Sequence, residues 1–128
     1  MALIVAAEDD PDIREIIEHV LRRDGHSVYL VPDGEAAIAL AHIVRPDLIL
    51  LDGDMTPGMN GFEAARLIAE NRTLCRVPLV MVTGTFDLAA IKRLPHVHDV
   101  VKKPFADDRL RSAVAGAVMD STAGSGST

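Results

Sequence analysis

The sequence predicts a doubly wound α/β domain in which five parallel strands alternate with five helices. Short aliphatic runs recur along the chain, and stretches with apolar residues at helical spacing separate them. Aromatic residues make up only 3% of the 128 residues, so the core must be aliphatic, as in parallel sheets that helices cover on both faces. A chain of this length forms a single domain.

Apolar periodicity and helix-end signals place the elements of the first half. Asp10, Pro11 and Asp12 start a helix, because a capping acid, a first-turn proline and acids near the positive dipole end all favour one. Gly25 ends that helix. The turn at Asp33 leads into the second helix, over residues 35–44. The predicted strands are Leu3–Ala7, Ser27–Val31 and 48–51.

The second half continues the alternation and ends in a polar tail. Pro95 stops a short helix predicted over residues 87–93. Serine, threonine and glycine dominate residues 121–128, which we expect to be a flexible tail or linker after a domain of residues 1–120. The other predicted elements are a helix from Gly61 or Phe62 to about residue 71, strands Leu79–Thr83 and 97–101, and a helix over 107–119.

Charge and cysteine content exclude several functional classes. The net charge of −6 and the pI near 5.2 argue against nucleic acid and anionic membranes as partners of this domain, because both require basic patches. Cys75 has no second cysteine to pair with, which favours a cytoplasmic location. No apolar stretch approaches the length of a membrane span, and the start of the sequence lacks a charged leader.

Acidic, hydroxyl and lysine side chains stand where four of the predicted strands end. Glu8 and Asp9 follow the first strand, and Asp52 closes the third. Thr83 closes the fourth strand, and Lys103 follows the fifth. Open α/β sheets place chemistry just beyond the carboxyl ends of their strands. The pattern therefore predicts a site for a divalent cation and a phosphoryl group.

These residues lie in short sequence segments that are spread along the chain and are given at the end of this paragraph. In this order and spacing, the series resembles the receiver domain of bacterial response regulators over about residues 2–119. The resemblance implies a flavodoxin-like fold with strand order 2-1-3-4-5, and a domain that accepts a phosphoryl group on aspartate. The segments are Glu8-Asp9-Asp10-Pro11, Pro46-Asp47-Leu48-Ile49-Leu50-Leu51-Asp52, Met55, Pro57-Gly58-Met59-Asn60-Gly61, Thr83 and Lys103-Pro104-Phe105.

The resemblance also implies a metal site. Asp9 and Asp52 are expected to bind Mg²⁺, or Mn²⁺ in its place, and Glu8 to hold a metal-bound water. The family also uses a backbone carbonyl two residues after the acceptor, which is that of Asp54. Mg²⁺ suits this set, because it keeps several waters and takes few protein carboxylates.

The resemblance assigns the phosphoryl chemistry to three side chains. Asp52 is the expected acceptor, Thr83 binds a phosphoryl oxygen, and Lys103 pairs with the acceptor and then with the phosphoryl group. We expect all the site residues to gather around one magnesium pocket that is open to solvent. A histidine kinase or phosphotransfer protein is the implied donor, and the output partner is unknown.

The same resemblance implies a signalling domain that catalyses its own phosphorylation and dephosphorylation. It switches the face formed by the fourth helix, fifth strand and fifth helix. The domain is expected to be a monomer or a weak, phosphorylation-dependent dimer.

The sequence departs from the family pattern in three places. Thr56 is an extra residue that moves the proline to position 57, which could let the side chain of Asp54 reach the cation. Val100 replaces the usual aromatic residue three before the lysine, so a ring-flip switch cannot operate. The segment between Thr83 and Lys103 is short, so we expect an altered output face.

Two other functions fit parts of the sequence. Residues 52–56 match the Asp-x-Asp-x-Thr pattern of haloacid-dehalogenase-like phosphatases, in which Asp54 would be the general acid/base. That family, however, carries the motif on its first strand. A degenerate receiver that only binds another protein is the other alternative.

Overall fold

The computed structural model describes residues 2–55, 59–84, 94 and 97–126, and the side chains of this part up to residue 119. The helix predicted over residues 87–93 lies outside the described residues. The strands are β1 (Leu3–Ala7), β2 (Ser27–Val31), β3 (Leu48–Asp52), β4 (Leu79–Thr83) and β5 (Val97–Lys102). The described helices are α1 (Pro11–Arg23), α2 (Gly34–Val44), α3 (Gly61–Glu70) and α4 (Asp107–Gly126).

The strands form one parallel sheet in the order β2-β1-β3-β4-β5, which confirms the predicted topology. Ala7 lies opposite Leu51 where β1 and β3 end. Thr83 lies opposite Lys102 where β4 and β5 end. This register brings the carboxyl ends of four strands to one edge of the sheet, as the sequence predicted.

Alternating side chains of the strands build two separate apolar cores. Leu48 and Leu50 of β3 pack in one core, together with buried residues of α1 and α4. Ile49 and Leu51 pack in the other, together with buried residues of α2 and α3. The five residues of β3 are all buried, because helices cover the central strand on both sides. The sheet is therefore the middle layer of three.

The last helix is longer than predicted. It continues to Gly126, whereas the sequence pattern placed its end near Met119. No proline follows Pro104, so no residue forces an earlier end, although serine, threonine and glycine are weak helix formers. The role of residues 121–128 as a tail or linker stays a prediction. No helix within the described residues is both long and apolar enough to cross a membrane.

Candidate functional site

The start of α1 fixes Glu8 at the end of β1. Asp10 caps the helix, since its carboxylate accepts hydrogen bonds from the backbone N–H groups of Asp12 at 2.8 Å and Ile13 at 3.4 Å. The N–H of Asp10 in turn donates to Oε2 of Glu8 at 3.2 Å. The guanidinium of Arg14 donates to the backbone carbonyl of Glu8 at 3.2 Å. Acidic side chains at the start of a helix are usually exposed to solvent. The side chain of Glu8, in contrast, is fully buried.

Two glycines allow close packing around the end of β3. A Cβ added at Gly53 would lie 2.9 Å from atoms of the Thr83 and Phe62 side chains. A Cβ added at Gly61 would collide with the backbone carbonyl of Asp52. The first turn of α3 therefore lies directly against the residue that closes β3, and it holds that residue in place.

The predicted acids and lysine lie together at this edge. Glu8, Asp9 and Asp52 each offer a carboxylate oxygen within 4.8 Å of the others. The ammonium of Lys103 lies 3.0 Å from Oε1 of Glu8 and 3.1 Å from Oδ1 of Asp52. The backbone N–H of Lys103 donates to the carbonyl of Thr83 at 2.9 Å, which ties the end of β5 to β4. The structure thus brings four of the predicted site residues into contact or near-contact.

The expectation of a pocket open to solvent is wrong for Asp52, of which only 1% is exposed. Lys103 and the backbone N–H of Asp54, which donates at 2.9 Å, both contact its Oδ1. Asp9 is the exposed member of the acid cluster. The acid cluster reaches solvent through Asp9, and Asp52 lies beneath the surface.

Burial and the neighbouring charges shift two pKa values at the site. The pKa of Glu8 is raised to about 8, chiefly by burial and next by contact with Asp52, while the hydrogen bond to Lys103 acts to lower it. Burial acts to lower the pKa of Lys103, but its hydrogen bonds to Glu8 and Asp52 outweigh burial and the pKa is raised. Lys103 therefore stays positively charged at neutral pH, next to an acid that can hold a proton.

The donor atoms fit a hard divalent cation. Carboxylate oxygens are the preferred protein ligands of Mg²⁺, and a cluster of three leaves positions for water. Oδ2 of Asp52 is buried and has no hydrogen-bond partner within the part of the chain that the structure describes. A buried carboxylate oxygen in that state is costly unless a cation or another donor meets it.

Thr83 and Asp54 form a contact that the sequence did not predict. The Thr83 hydroxyl is fully buried and donates to Oδ1 of Asp54 at 3.0 Å. The N–H of Gly84 donates to Oδ2 of the same carboxylate at 2.7 Å. The Asp54 side chain is thus directed at the end of β4, contrary to the idea that it reaches the cation. The role of its backbone carbonyl as a metal ligand stays a prediction.

Sequence reasoning missed two contributors to the site, Gly84 and Arg14. Gly84 contributes its backbone N–H, which donates to the Asp54 carboxylate, and Arg14 contributes its guanidinium, which donates to the backbone carbonyl of Glu8. For Gly84, the sequence did offer a signal, which is that a glycine directly follows Thr83. For Arg14 we find no signal beyond its place on the first helix. A cavity of about 860 Å³ along α1 contains none of the predicted site residues, so the chemistry and not the cavity locates the site.

Comparison with known families identifies the class of domain. Residues 4–115 match the family described as the response regulator receiver domain. The chain belongs to this family. Its fold, the order of its strands and the residues at their ends agree with that membership. The phosphatase alternative is therefore wrong, and in this receiver domain the Asp-x-Asp-x-Thr segment begins at the end of the third strand.

Curated relatives are longer proteins. The receiver domain is 35% identical over 113 residues to the DNA-binding response regulator MtrA of Mycolicibacterium smegmatis, with 87% of this chain and 48% of MtrA covered. It is also 35% identical over 120 residues to the transcriptional regulatory protein AfsQ1 of Streptomyces coelicolor, with 94% and 48% covered. The chain spans about half the length of these relatives.

A solved structure of similar size has the same fold. The chemotaxis protein CheY4 of Vibrio cholerae superposes with a TM-score of 0.82 at 28% identity, covering 90% of this chain and 97% of CheY4. The match extends over nearly the whole of both chains and agrees with the receiver fold.

Proposed function

We propose that this receiver domain takes a phosphoryl group onto Asp52 from a histidine kinase or a phosphotransfer protein. The observation that carries the proposal is the 3.1 Å contact between the ammonium of Lys103 and Oδ1 of Asp52. It lies beside Glu8 and Asp9, within the cluster of carboxylate oxygens. A positive charge in contact with the acceptor carboxylate, beside a group of ligands that can bind a cation, suits the transfer of an anionic group.

The transfer forms one bond and breaks one. A carboxylate oxygen of Asp52 attacks the phosphorus of a phosphohistidine as the P–N bond breaks, and the imidazole leaves with the electron pair and takes up a proton. Mg²⁺, or Mn²⁺ in its place, supplies charge that offsets the phosphoryl oxygens when bound. Asp9 and Asp52 would hold it directly, Glu8 through water, and Asp54 through its backbone carbonyl. Lys103 moves from the acceptor to the new phosphoryl group.

Burial of Asp52 adds a requirement to this scheme. With 1% of the residue exposed, a donor reaches the carboxylate only after the groups around it move apart. Lys103, whose side chain is 17% exposed, lies directly against Oδ1 of Asp52. We infer that opening at the Lys103 side precedes transfer, so phosphorylation is sensitive to how firmly Lys103 is held.

The switch follows from charge. A phosphoryl group carries nearly two negative charges, which would draw the Thr83 hydroxyl and Lys103 inward and so move the ends of β4 and β5. Val100 is half-buried in the core beneath β5 and provides no ring to rotate. The output partner is proposed to bind the surface that these strand ends support.

The curated relatives also bear on the role of the protein as a whole. The name of MtrA states DNA binding, and that of AfsQ1 states transcriptional regulation. We do not propose DNA binding for this domain itself, because a net charge of −6 opposes contact with a phosphate backbone. The self-catalysed phosphorylation and dephosphorylation belong to the proposal. A cytoplasmic location, and a monomer or weak dimer, stay predictions.

Intact-mass measurement after incubation with acetyl phosphate and Mg²⁺ tests the proposed function. We expect the wild type to gain one phosphoryl group and Asp52→Asn to gain none. Lys103→Ala should react about a hundredfold more slowly, as removal of one charge-stabilising group does elsewhere. Lys102→Ala is the matched control, since it removes the adjacent, exposed lysine.

Two other results would contradict the proposal. An absence of adduct in the wild type would favour the degenerate, protein-binding receiver. An adduct that persists in Asp52→Asn would place the acceptor elsewhere.

A further inference from the structure

The side chain of Asp54 holds both polar groups at the end of β4. Its Oδ1 accepts from the Thr83 hydroxyl at 3.0 Å, and its Oδ2 accepts from the N–H of Gly84 at 2.7 Å. The carboxylate therefore makes a two-pronged contact with consecutive residues. Gly84 leaves room for it, since the nearest atom to a Cβ added there would be Oδ2 itself at 3.6 Å.

The same two donors lie at the end of β4, the strand that pairs with β3 and has Val82 opposite Asp52. The backbone of Asp54 is hydrogen-bonded to Oδ1 of Asp52 at 2.9 Å, so the acceptor and the carboxylate of Asp54 belong to one continuous network. A hydroxyl and an N–H each have a single proton to donate. While Asp54 receives both protons, an oxygen of a neighbouring phosphoryl group cannot receive them.

Charge makes the competition stronger. Carboxylate and phosphoryl oxygens are both anionic, and donors that bind one suit the other. Two anionic groups at adjacent positions also repel each other. Once a phosphoryl group forms, keeping Asp54 in its present position is unfavourable on both counts.

We propose that Asp54 is a positioning residue for the resting state, whose carboxylate occupies the Thr83 and Gly84 donors until phosphorylation displaces it. This inference rests on the proposed function, because it takes Thr83 as a phosphoryl ligand. As a consequence, the wild type should bind a phosphoryl group more weakly than a variant in which the Thr83 and Gly84 donors are not occupied by Asp54. Release of Asp54 then frees the end of β4 to move.

Titration with beryllium fluoride and Mg²⁺, a stable analogue of the phosphoryl group, tests the inference by calorimetry. Because the analogue no longer has to displace a charged acceptor from both donors, Asp54→Ala should bind it about tenfold more tightly or better. Asp54→Asn, which keeps one acceptor oxygen, should lie between it and the wild type. Asp12→Asn is the matched control for charge, because it removes another acid at this edge, and it should stay within about twofold.

A double-mutant cycle separates displacement from simple repulsion. If Asp54 acts through Thr83, the gain from Asp54→Ala should be clearly smaller in a Thr83→Ala background. An equal gain in affinity in both backgrounds would show that Asp54 acts only by charge repulsion, and it would overturn the inference. Weaker binding of the analogue by Asp54→Ala would overturn it as well.

The amide signal of Gly84 gives a readout that needs no bound analogue. In NMR spectra its proton should shift upfield in Asp54→Asn, because the charged acceptor is lost, and an unchanged shift would contradict the contact. If the wild type forms the Asp52 adduct but the Asp54 variants bind the analogue as the wild type does, only this inference fails. If the wild type neither forms the adduct nor binds the analogue, the proposed function fails and the inference with it.

Discussion

Removal of the Lys103 ammonium should lower the free energy of unfolding by an amount that follows from its contacts with Glu8 and Asp52. Lys103→Met keeps the length of the side chain but loses two charge-assisted contacts, at 3.0 Å to Glu8 and 3.1 Å to Asp52. Each such contact contributes about 1.5–3 kcal/mol. The pKa of Glu8 is already raised to about 8, so at pH 7 Glu8 can hold a proton and donate it to Asp52. The remaining hydrogen bond between Glu8 and Asp52 limits the destabilisation, and we expect a net loss of about 2 kcal/mol.

Urea unfolding at pH 7 in a buffer with a metal chelator measures this loss. The free energy of unfolding should fall by about 2 kcal/mol in Lys103→Met, with an unchanged dependence on urea concentration. Lys102→Met, the exposed neighbour, should stay within about 0.5 kcal/mol of the wild type. A loss in Lys103→Met no larger than in the control would refute the inference that this ammonium stabilises the buried acid pair of Glu8 and Asp52.

Two further predictions concern packing and pH. Gly61→Ala should lower the free energy of unfolding by at least about 2 kcal/mol, because its Cβ would collide with the Asp52 carbonyl. Gly84→Ala, whose nearest atom would lie at 3.6 Å, should cost under about 1 kcal/mol, and similar losses by thermal unfolding would contradict the close approach. Burial lowers the pKa of His26 from its ordinary 6.5, and its Nδ1 accepts the N–H of Ala2 at 3.1 Å. The folded state thus prefers neutral His26, so its stabilisation is complete above about pH 6.5 and is lost as the pH falls below it. The stability difference between wild type and His26→Ala should narrow from pH 8 to pH 5, and a constant difference would argue against this linkage.

The sequence predicted the sheet and the composition of the site because both follow from strong local patterns. Aliphatic runs such as residues 48–51, between turn-forming residues, are typical of central strands of a covered parallel sheet. In that topology, the residues that follow neighbouring strands must meet at one edge. Glu8, Asp9, Asp52 and Lys103 accordingly lie together, and the order of the strands is the expected one.

Side-chain directions were not predictable in the same way. Whether Asp54 turns towards the acids or towards β4 depends on rotamers and on donors brought there by the fold, which sequence spacing does not encode. The depth of Asp52 depends on how Lys103 lies over it, and again no local pattern specifies that. The length of α4 was missed because weak helix formers mark a boundary less sharply than a proline does.

The position of the phosphoryl group tests the central claim most directly. After reaction with acetyl phosphate and Mg²⁺, borohydride reduces an aspartyl phosphate to homoserine, and peptide sequencing by mass spectrometry locates that residue. We predict homoserine at position 52, in a reaction that requires the divalent cation. Homoserine at another aspartate, or an unmodified Asp52 in a folded and magnesium-loaded sample, would contradict the account.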